Sequence, residues 1–178
     1  MIDDTREGSV TAARSTREEQ LLTPRGPAAG ELTAELDFAD LTVGMVVAQR
    51  EFHLTRDSLV RYAGASGDFN PIHYRDDVAT SVGLPGVLAH GMLTMGIAAQ
   101  PVIDWIGDPG LVADYQVRFT RPVLVDATDG AHVHVVATVG AVDTSTDGHS
   151  SARIDLTVTF ADETVLGKAQ LRIRTGSA

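Results

Sequence analysis

One long apolar segment followed by a series of strands constrains the fold more than any other feature of this sequence. The segment opens at Gly91 and runs to about Trp105, and it is apolar nearly all round, which predicts a buried helix. Pro101 lies inside it and should kink or shorten it. Stretches with a period of two follow and predict half-buried antiparallel strands. A sheet that wraps one buried helix is an α+β architecture.

The apolar positions that alternate after the helix fall into four groups. They are Val117 and Phe119; Val133, Val135, Ala137 and Val139; Ile154, Leu156, Val158 and Phe160; and Val165, Gly167, Ala169, Leu171 and Ile173. Turn residues predict loops over 126–130 and 143–148. Before the long helix, the pattern predicts a strand over 46–54 and helices over 56–65 and 76–82, with Thr55 as the cap of the first helix.

The first 35 residues differ in composition from the rest of the chain. They mix Thr, Ser, Ala, Gly, Pro, Arg and Glu without apolar periodicity, so they bury too little surface to offset the entropy of ordering. We therefore expect a disordered arm over 1–35 and a single domain over 36–178. A domain of that size buries enough surface to form one core without disulfides or metals.

Charge and composition exclude several classes of function. The 178 residues carry a formal charge of −10, of which the arm contributes −3 and the rest −7. An acidic surface repels a polyanion, so nucleic-acid binding is not expected. The chain has no Cys, which excludes disulfides, thiolate ligands and cysteine nucleophiles. The amino terminus contains no apolar run, so neither a signal peptide nor a membrane span is predicted and we expect a cytoplasmic protein.

Side chains capable of acid–base chemistry are concentrated in the segment 66–73, which reads SGDFNPIH. Asp68 and His73 lie close together in that segment, and Gly67 and Pro71 shape the backbone so that both can face a common point. A carboxylate and an imidazole can together move two protons in one reaction. The alternative is structural, because Asp68 can accept an Asx-type hydrogen bond and Asn-Pro is an ordinary turn dipeptide. The local pattern leaves both interpretations open.

A second feature is the segment 89–92, which reads AHGM and opens the predicted central helix. Gly91 in the first turn leaves a backbone N–H without a partner inside the helix and without a side chain to shield it. Such a group can donate to a carbonyl oxygen that gains negative charge during a reaction. The alternative is that Gly91 is small because another backbone packs against it. His90 is more typical of a structural histidine than of a catalyst.

Other kinds of site receive no support from the sequence. His132 and His134 share one face of a predicted strand, but that face is directed to solvent and no third ligand lies at a motif spacing. The segment 83–86 lacks the glycine pattern that cradles phosphates, and no G-x-S-x-G elbow is present. We therefore expect no metal and no cofactor.

The two features together resemble the MaoC-like, or R-specific enoyl hydratase, family of the hot-dog fold. That family's signature is an aromatic residue, then S-G-D-x-N-P-[LIV]-H and a small residue shortly after it. Tyr62, the segment 66–73 and Ala79 match this pattern, and the segment 89–92 matches the start of the family's central helix. The segments 105–110 and 115–120 are also similar to catalytic B subunits of the mycobacterial (3R)-hydroxyacyl-[acyl-carrier-protein] dehydratases.

The resemblance spans about residues 36–173 and implies a single hot dog, a curved antiparallel sheet wrapped around a long central helix, that works as a dimer. It implies reversible hydration of a trans-2-enoyl thioester to a (3R)-3-hydroxyacyl thioester. The acyl group of this substrate would be carried on coenzyme A or on acyl carrier protein. By their positions in the family's motif, Asp68 and His73 are expected to form the acid–base dyad, and the Gly91 amide is expected to donate to the thioester carbonyl. The residues that would bind substrate or orient the loop are Ser66, Asn70 and His90.

Two alternatives to this function remain open. One is a hot-dog acyl thioesterase, which the dyad and its Asn-Pro loop disfavour. The other is a non-catalytic subunit that lends a tunnel wall to a catalytic relative, which the intact pair of Asp68 and His73 disfavours. The similarity to B subunits favours a heterodimer with a dehydratase A-type subunit over a homodimer. Some relatives carry Ser or Thr near the dyad at the position that aligns with Ala99.

Overall fold

The computed structural model of the chain describes residues 38–144 and 150–174. The arm predicted over 1–35 lies outside these residues, and so does most of the loop predicted over 143–148. Asp143 and Thr144, which the turn pattern assigned to that loop, instead belong to the end of a strand.

Within the described ranges, the strands form a single antiparallel sheet in the order β1-β3-β4-β5-β2. The strands are β1 Val46–Leu54, β2 Val112–Phe119, β3 Ala131–Thr144, β4 Ser150–Phe160 and β5 Glu163–Arg174. The α-helices of the same ranges are α1 Arg56–Ser66, α2 Asp76–Ser81 and α3 Gly91–Ile106. Short 3₁₀ turns span Phe38–Asp40, Pro71–His73 and Pro109–Leu111. None of the described helices is long and apolar enough to cross a membrane.

The predicted alternation in the central strands is confirmed. Val133, Val135, Ala137 and Val139 of β3 are all buried, and the residues between them are intermediate or exposed, on the other side of the sheet. Burying a valine side chain contributes about 1.5–3 kcal/mol, so a slip of one residue in register would expose several such groups together. Helix α3 packs on this apolar face and contacts β1, β2 and β3.

Helix α3 differs from its prediction in two respects. It continues through Pro101 to Ile106, so the proline does not shorten it, and Pro101 is itself buried. The helix is also not enclosed on all sides, because Met92 in its first turn is 58% exposed. Near the C-terminal end of the helix, the carboxylate of Asp104 forms an ion pair of 2.8 Å with Arg50 of β1. This pair holds the exposed side of the helix to the edge of the sheet.

The end of β2 also departs from simple alternation. Phe119, which the pattern placed with the apolar positions of a half-buried strand, is 52% exposed. A register shift between Gln116 and Arg118 precedes it in the pairing with β5, and a bulge of this kind redirects the side chains beyond it. In β5, Val165 is buried together with Leu166, the residue paired with Phe119, so the alternation predicted through this strand is interrupted. Strand β2 is an edge of the described sheet, so no further strand of that sheet flanks it.

Candidate active site

The segment that carries the candidate residues is positioned by the two ends of α1. Thr55 caps the start of the helix through a capping box with Ser58, as the sequence predicts. The helix ends at Gly67, whose φ of +77° is a left-handed conformation that glycine adopts without strain. The N–H of Gly67 donates to the carbonyl of Ala63 at 2.9 Å. The chain therefore turns sharply into the loop that contains Asp68.

The loop itself is held by short-range hydrogen bonds from its polar side chains. The hydroxyl of Ser66 donates to the carbonyl of Tyr62 at 2.7 Å and accepts from the N–H of Asp68 at 3.2 Å. Asp68 Oδ1 accepts from the N–H of Asn70 at 3.1 Å, and Asn70 Oδ1 accepts from the N–H of Ile72 at 3.3 Å. The structural role considered for Asp68 in the sequence is therefore present.

His73 and Asp68 face each other across a short gap. His73 is 8% exposed, and its Nδ1 lies 2.8 Å from the carbonyl oxygen of Leu88. Because a carbonyl only accepts, Nδ1 carries the proton, and Nε2 of the neutral ring keeps its lone pair. Nε2 lies 3.9 Å from Asp68 Oδ2, which is too long for a direct hydrogen bond and suits a bridging water. One oxygen of Asp68 thus holds the turn while the other faces His73.

His90 contacts both of these residues from the buried side. Its Nε2–H donates to the backbone carbonyl of Asp68 at 3.1 Å, and its ring stacks on that of His73 at 3.8 Å between centroids. The residue is 1% exposed, and burial lowers its pKa, so the ring is held neutral. His90 Nδ1 is buried without a hydrogen-bond partner among the described residues.

Gly91 begins α3 directly after His90, so its N–H has no carbonyl partner within the helix. A Cβ at this position would lie 3.1 and 3.3 Å from two ring carbons of Phe119, and these are the nearest atoms that it would meet. The neighbour is therefore a half-exposed side chain and not another backbone. The close backbone approach that the sequence left open as the reason for this glycine is not observed.

Two cavities meet at Gly91 and Phe119, which line both. The first has a volume of about 360 Å³ and contains His73. The second has a volume of about 430 Å³ and contains Asp68 and His90. The candidate acid–base pair thus lies where the two cavities adjoin.

Sequence reasoning gave no site role to Thr94 or Phe119, although both line the first cavity. Thr94 is a buried polar residue in the first turns of α3, and its hydroxyl donates to the carbonyl of His90 at 3.3 Å. Its spacing of three residues from Gly91 places both on one face of the helix and could have identified it. Phe119 carried no such local signal, because it reaches Gly91 only through the folding of β2 against the helix.

Asp68, His73 and His90 also satisfy a spacing criterion for metal ligands, since each offers an atom within 4.8 Å of the others. However, one nitrogen of each ring already donates to a backbone carbonyl, and the second nitrogen of His90 is buried in the wall of the site. This is the arrangement of a hydrogen-bonded polar site. That the protein uses no metal and no cofactor stays a prediction.

His132 and His134 lie elsewhere, on the exposed face of the sheet. Their Nδ1 atoms lie 2.7 and 3.3 Å from the two carboxylate oxygens of Glu51 on the neighbouring strand. The hydrogen bond from His132 lowers the pKa of Glu51. These residues form an exposed polar cluster away from the candidate active site.

Comparison with known proteins identifies the family. Residues 38–155 match the model of the MaoC like domain. This chain belongs to the MaoC-like family. It is 39% identical over 80 residues to 3-hydroxyacyl-thioester dehydratase X of Mycobacterium tuberculosis, a match that covers 45% of this chain and 28% of that protein.

Solved structures give the same fold. A MaoC-like dehydratase superposes with a TM-score of 0.75 and 31% identity over 99% of this chain and 51% of that chain. The HadBC complex of Mycobacterium tuberculosis, a (3R)-hydroxyacyl-ACP dehydratase, gives a TM-score of 0.60 over 79% of this chain and 99% of that chain, and at 20% identity it supports the fold alone. The α+β hot-dog fold and the family resemblance are thus confirmed. The chain spans about half the length of that MaoC-like dehydratase.

Proposed function

We propose that this protein catalyses the reversible addition of water to trans-2-enoyl thioesters, giving (3R)-3-hydroxyacyl thioesters. The observation that carries this proposal is the lone pair of His73 Nε2, which faces the Asp68 carboxylate across 3.9 Å beside the first amide of α3. Two proton acceptors that hold one water next to an N–H donor suit addition of water to a conjugated carbonyl. The relatives that are named as dehydratases support the same class of reaction.

In the hydration direction, the thioester oxygen accepts a hydrogen bond from the Gly91 N–H, and a water lies between Asp68 and His73. The dyad removes a proton from the water as its oxygen bonds to C3. The electron pair of the C2–C3 double bond moves toward C1, and negative charge collects on the thioester oxygen. The dyad then delivers a proton to C2, and the carbonyl re-forms. Water is consumed, the dyad regains its starting protonation, and dehydration follows the same path in reverse.

Each group has a distinct physical contribution. Proton transfer by positioned side chains accelerates such steps by roughly 10²–10⁴-fold. A preorganised N–H at the developing oxyanion contributes about 3 kcal/mol. The carbonyl of Leu88 fixes the ring tautomer of His73, so Nε2 is the atom that accepts a proton. We treat Asp68 and His73 as one unit, because a single water placed between their facing atoms would contact both.

Ser66, Asn70 and His90 act in this proposal as orienting residues. Ser66 fixes the loop before Asp68 by accepting from the Asp68 N–H. Asn70 fixes the loop after it, because its N–H donates to the Asp68 carboxylate and its side chain accepts from the N–H of Ile72. His90 holds the Asp68 carbonyl and, because burial lowers its pKa, adds no positive charge beside the dyad.

We further propose that the working unit is a heterodimer of hot dogs, in which a dehydratase A-type subunit completes the tunnel. Met92 and Phe119 line the second cavity and are 58% and 52% exposed, which is unusual for large apolar side chains beside a reactive site. Strand β2 is an edge of the sheet described and can pair with a second subunit. The HadBC relative is named as a complex.

The test is a hydration assay on the full chain, purified alone and co-expressed with candidate A-type partners. Crotonyl and longer trans-2-enoyl substrates are supplied on coenzyme A and on acyl carrier protein, and the configuration of the product is determined. We expect a (3R)-hydroxyacyl product. Release of free thiol without hydration would instead establish a thioesterase. Full activity of a homodimer would overturn the heterodimer. Activity that needs a partner but survives Asp68→Asn would make this chain a non-catalytic subunit.

A further inference from the structure

Phe119 lies at the boundary of the two cavities, where the thioester of the proposed reaction must lie. Its ring lines both cavities and covers the space left by the missing side chain of Gly91, with ring carbons 3.1–3.5 Å from the position of a Cβ. The residue ends an edge strand and is 52% exposed. A rotation of this ring would therefore change the space beside Gly91.

The two cavities differ in the chemistry of their walls. Apolar side chains make up most of the first cavity, among them Leu88, Val123, Val165 and Leu166. The second cavity is lined mainly by polar and aromatic groups, including Tyr62, Ser66, Asp68 and His90. A hydrocarbon chain gains most from the first environment, because apolar surface is removed from water there without burying unpaired polar groups.

We propose that Phe119 determines chain-length specificity: the acyl chain enters the first cavity beneath its ring, and the thioester and its carrier arm occupy the second. This inference rests on the proposed function. The ring forms part of the wall against which the acyl chain packs and turns from Gly91 when the thioester oxygen reaches the amide. A long chain needs a larger displacement of the ring than a short one, so the ring favours short substrates.

The test compares kcat/KM for crotonyl, octenoyl and dodecenoyl thioesters in the wild type, Phe119→Ala and Phe119→Leu, each with its dimer partner where one is required. We expect Phe119→Ala to raise the dodecenoyl-to-crotonyl ratio of kcat/KM about tenfold, a change typical of altered apolar pocket contacts. Phe119→Leu should give a smaller change in the same direction, and it serves in place of the alanine variant should that variant fail to fold. The control is Val60→Ala, which removes an apolar side chain that is 59% exposed and lines neither cavity.

A second variant examines the contact itself. Gly91→Ala keeps the backbone N–H but adds a Cβ against the ring, so it should lower kcat/KM for all substrates in the wild type and much less in the Phe119→Ala background. Equal losses in both backgrounds would contradict a role for the ring. A dodecenoyl-to-crotonyl ratio in Phe119→Ala equal to that of Val60→Ala would overturn the inference while leaving hydration by the wild type intact. Absence of hydration with every substrate and partner would instead contradict the proposed function.

Discussion

The ring of His73 stacks on the ring of His90 with 3.8 Å between centroids and 26° between planes. His90 also donates from Nε2 to the backbone carbonyl of Asp68. One buried residue therefore contacts both members of the proposed dyad. Two imidazoles in such contact cannot both carry a proton without repulsion, and burial already disfavours a charge on His90. His90 therefore remains uncharged beside His73 and Asp68.

The lowered pKa of His90 predicts how stability depends on pH. In the unfolded chain His90 takes up a proton near its ordinary pKa of 6.5, whereas in the folded protein burial delays that protonation to lower pH. The unfolded state then binds more protons below about pH 6.5, so the stability falls as the pH decreases through this range. The loss levels off below the folded-state pKa. Thermal unfolding between about pH 5 and 8 measures the slope.

A variant without the ionisable ring separates His90 from the other histidines. His90→Gln should unfold at a lower temperature than the wild type at neutral pH but show a flatter dependence of Tm on pH. His134→Gln, at an exposed position, is the matched control and should keep the wild-type slope. The explanation is wrong if the slope is the same in His90→Gln and in the wild type.

Asn70 tests whether the loop orients the dyad. Its Oδ1 accepts from the N–H of Ile72 and starts the 3₁₀ turn that carries His73. Asn70→Ala removes that acceptor, so we expect a loss of about 1 kcal/mol in unfolding free energy. A small misplacement of a catalytic group should lower kcat by roughly 10–100-fold with little change in KM. Asn70→Ser keeps a capping oxygen and should recover much of the rate. Equal kcat values for the alanine and serine variants would exclude this orienting role.

Arg56 links three segments around the loop. Its guanidinium donates twice to the Asp76 carboxylate, at 2.9 and 3.0 Å, and its Nε donates to the carbonyl of buried Val125 at 2.7 Å. Arg56→Ala should therefore lower Tm more than Asp76→Ala, because it also leaves a buried carbonyl without this donor. At about 1 M salt, where screening acts within roughly 3 Å, the effect of Asp76→Ala should shrink and that of Arg56→Ala should persist.

The matched control for this comparison is Arg75→Ala. Arg75 pairs with Asp77 in an exposed interaction, and within the described part of the chain its guanidinium makes no hydrogen bond to a buried carbonyl. Exposed ion pairs contribute little, so its Tm should change least of the three variants. A Tm change for Arg75→Ala as large as that for Arg56→Ala would contradict the role assigned to Val125.

Much of the fold could be predicted because its signals are local. Strand β1 has the predicted bounds, Thr55 caps α1 as predicted, and the alternating residues of β3 are buried as their period requires. The exposure of Phe119 and of Met92 could not be predicted in this way. It depends on register shifts between β2 and β5 and on which side of α3 the sheet covers, and both are set by contacts distant in sequence.

In the candidate site, likewise, contacts between neighbouring residues could be predicted and contacts between residues distant in sequence could not. The spacing of Asp68 and His73 predicted that they could face one point, because the turn between them is formed by neighbouring residues. The carbonyl of Leu88 that fixes the tautomer of His73 lies fifteen residues further along the chain. The stacking of His90 and the approach of Phe119 to Gly91 likewise need the folded chain.

The most direct test of the account is the rate of crotonyl-thioester hydration by the wild type, Asp68→Asn, His73→Ala and the double variant. Asp68→Asn keeps an oxygen for the hydrogen bond from Asn70, so the loop can retain its shape. The account predicts that each single variant loses roughly 10²–10⁴-fold in kcat while the protein remains folded, and that the double variant loses little more, because the two groups act as a unit. Near-normal kcat in both single variants would contradict it.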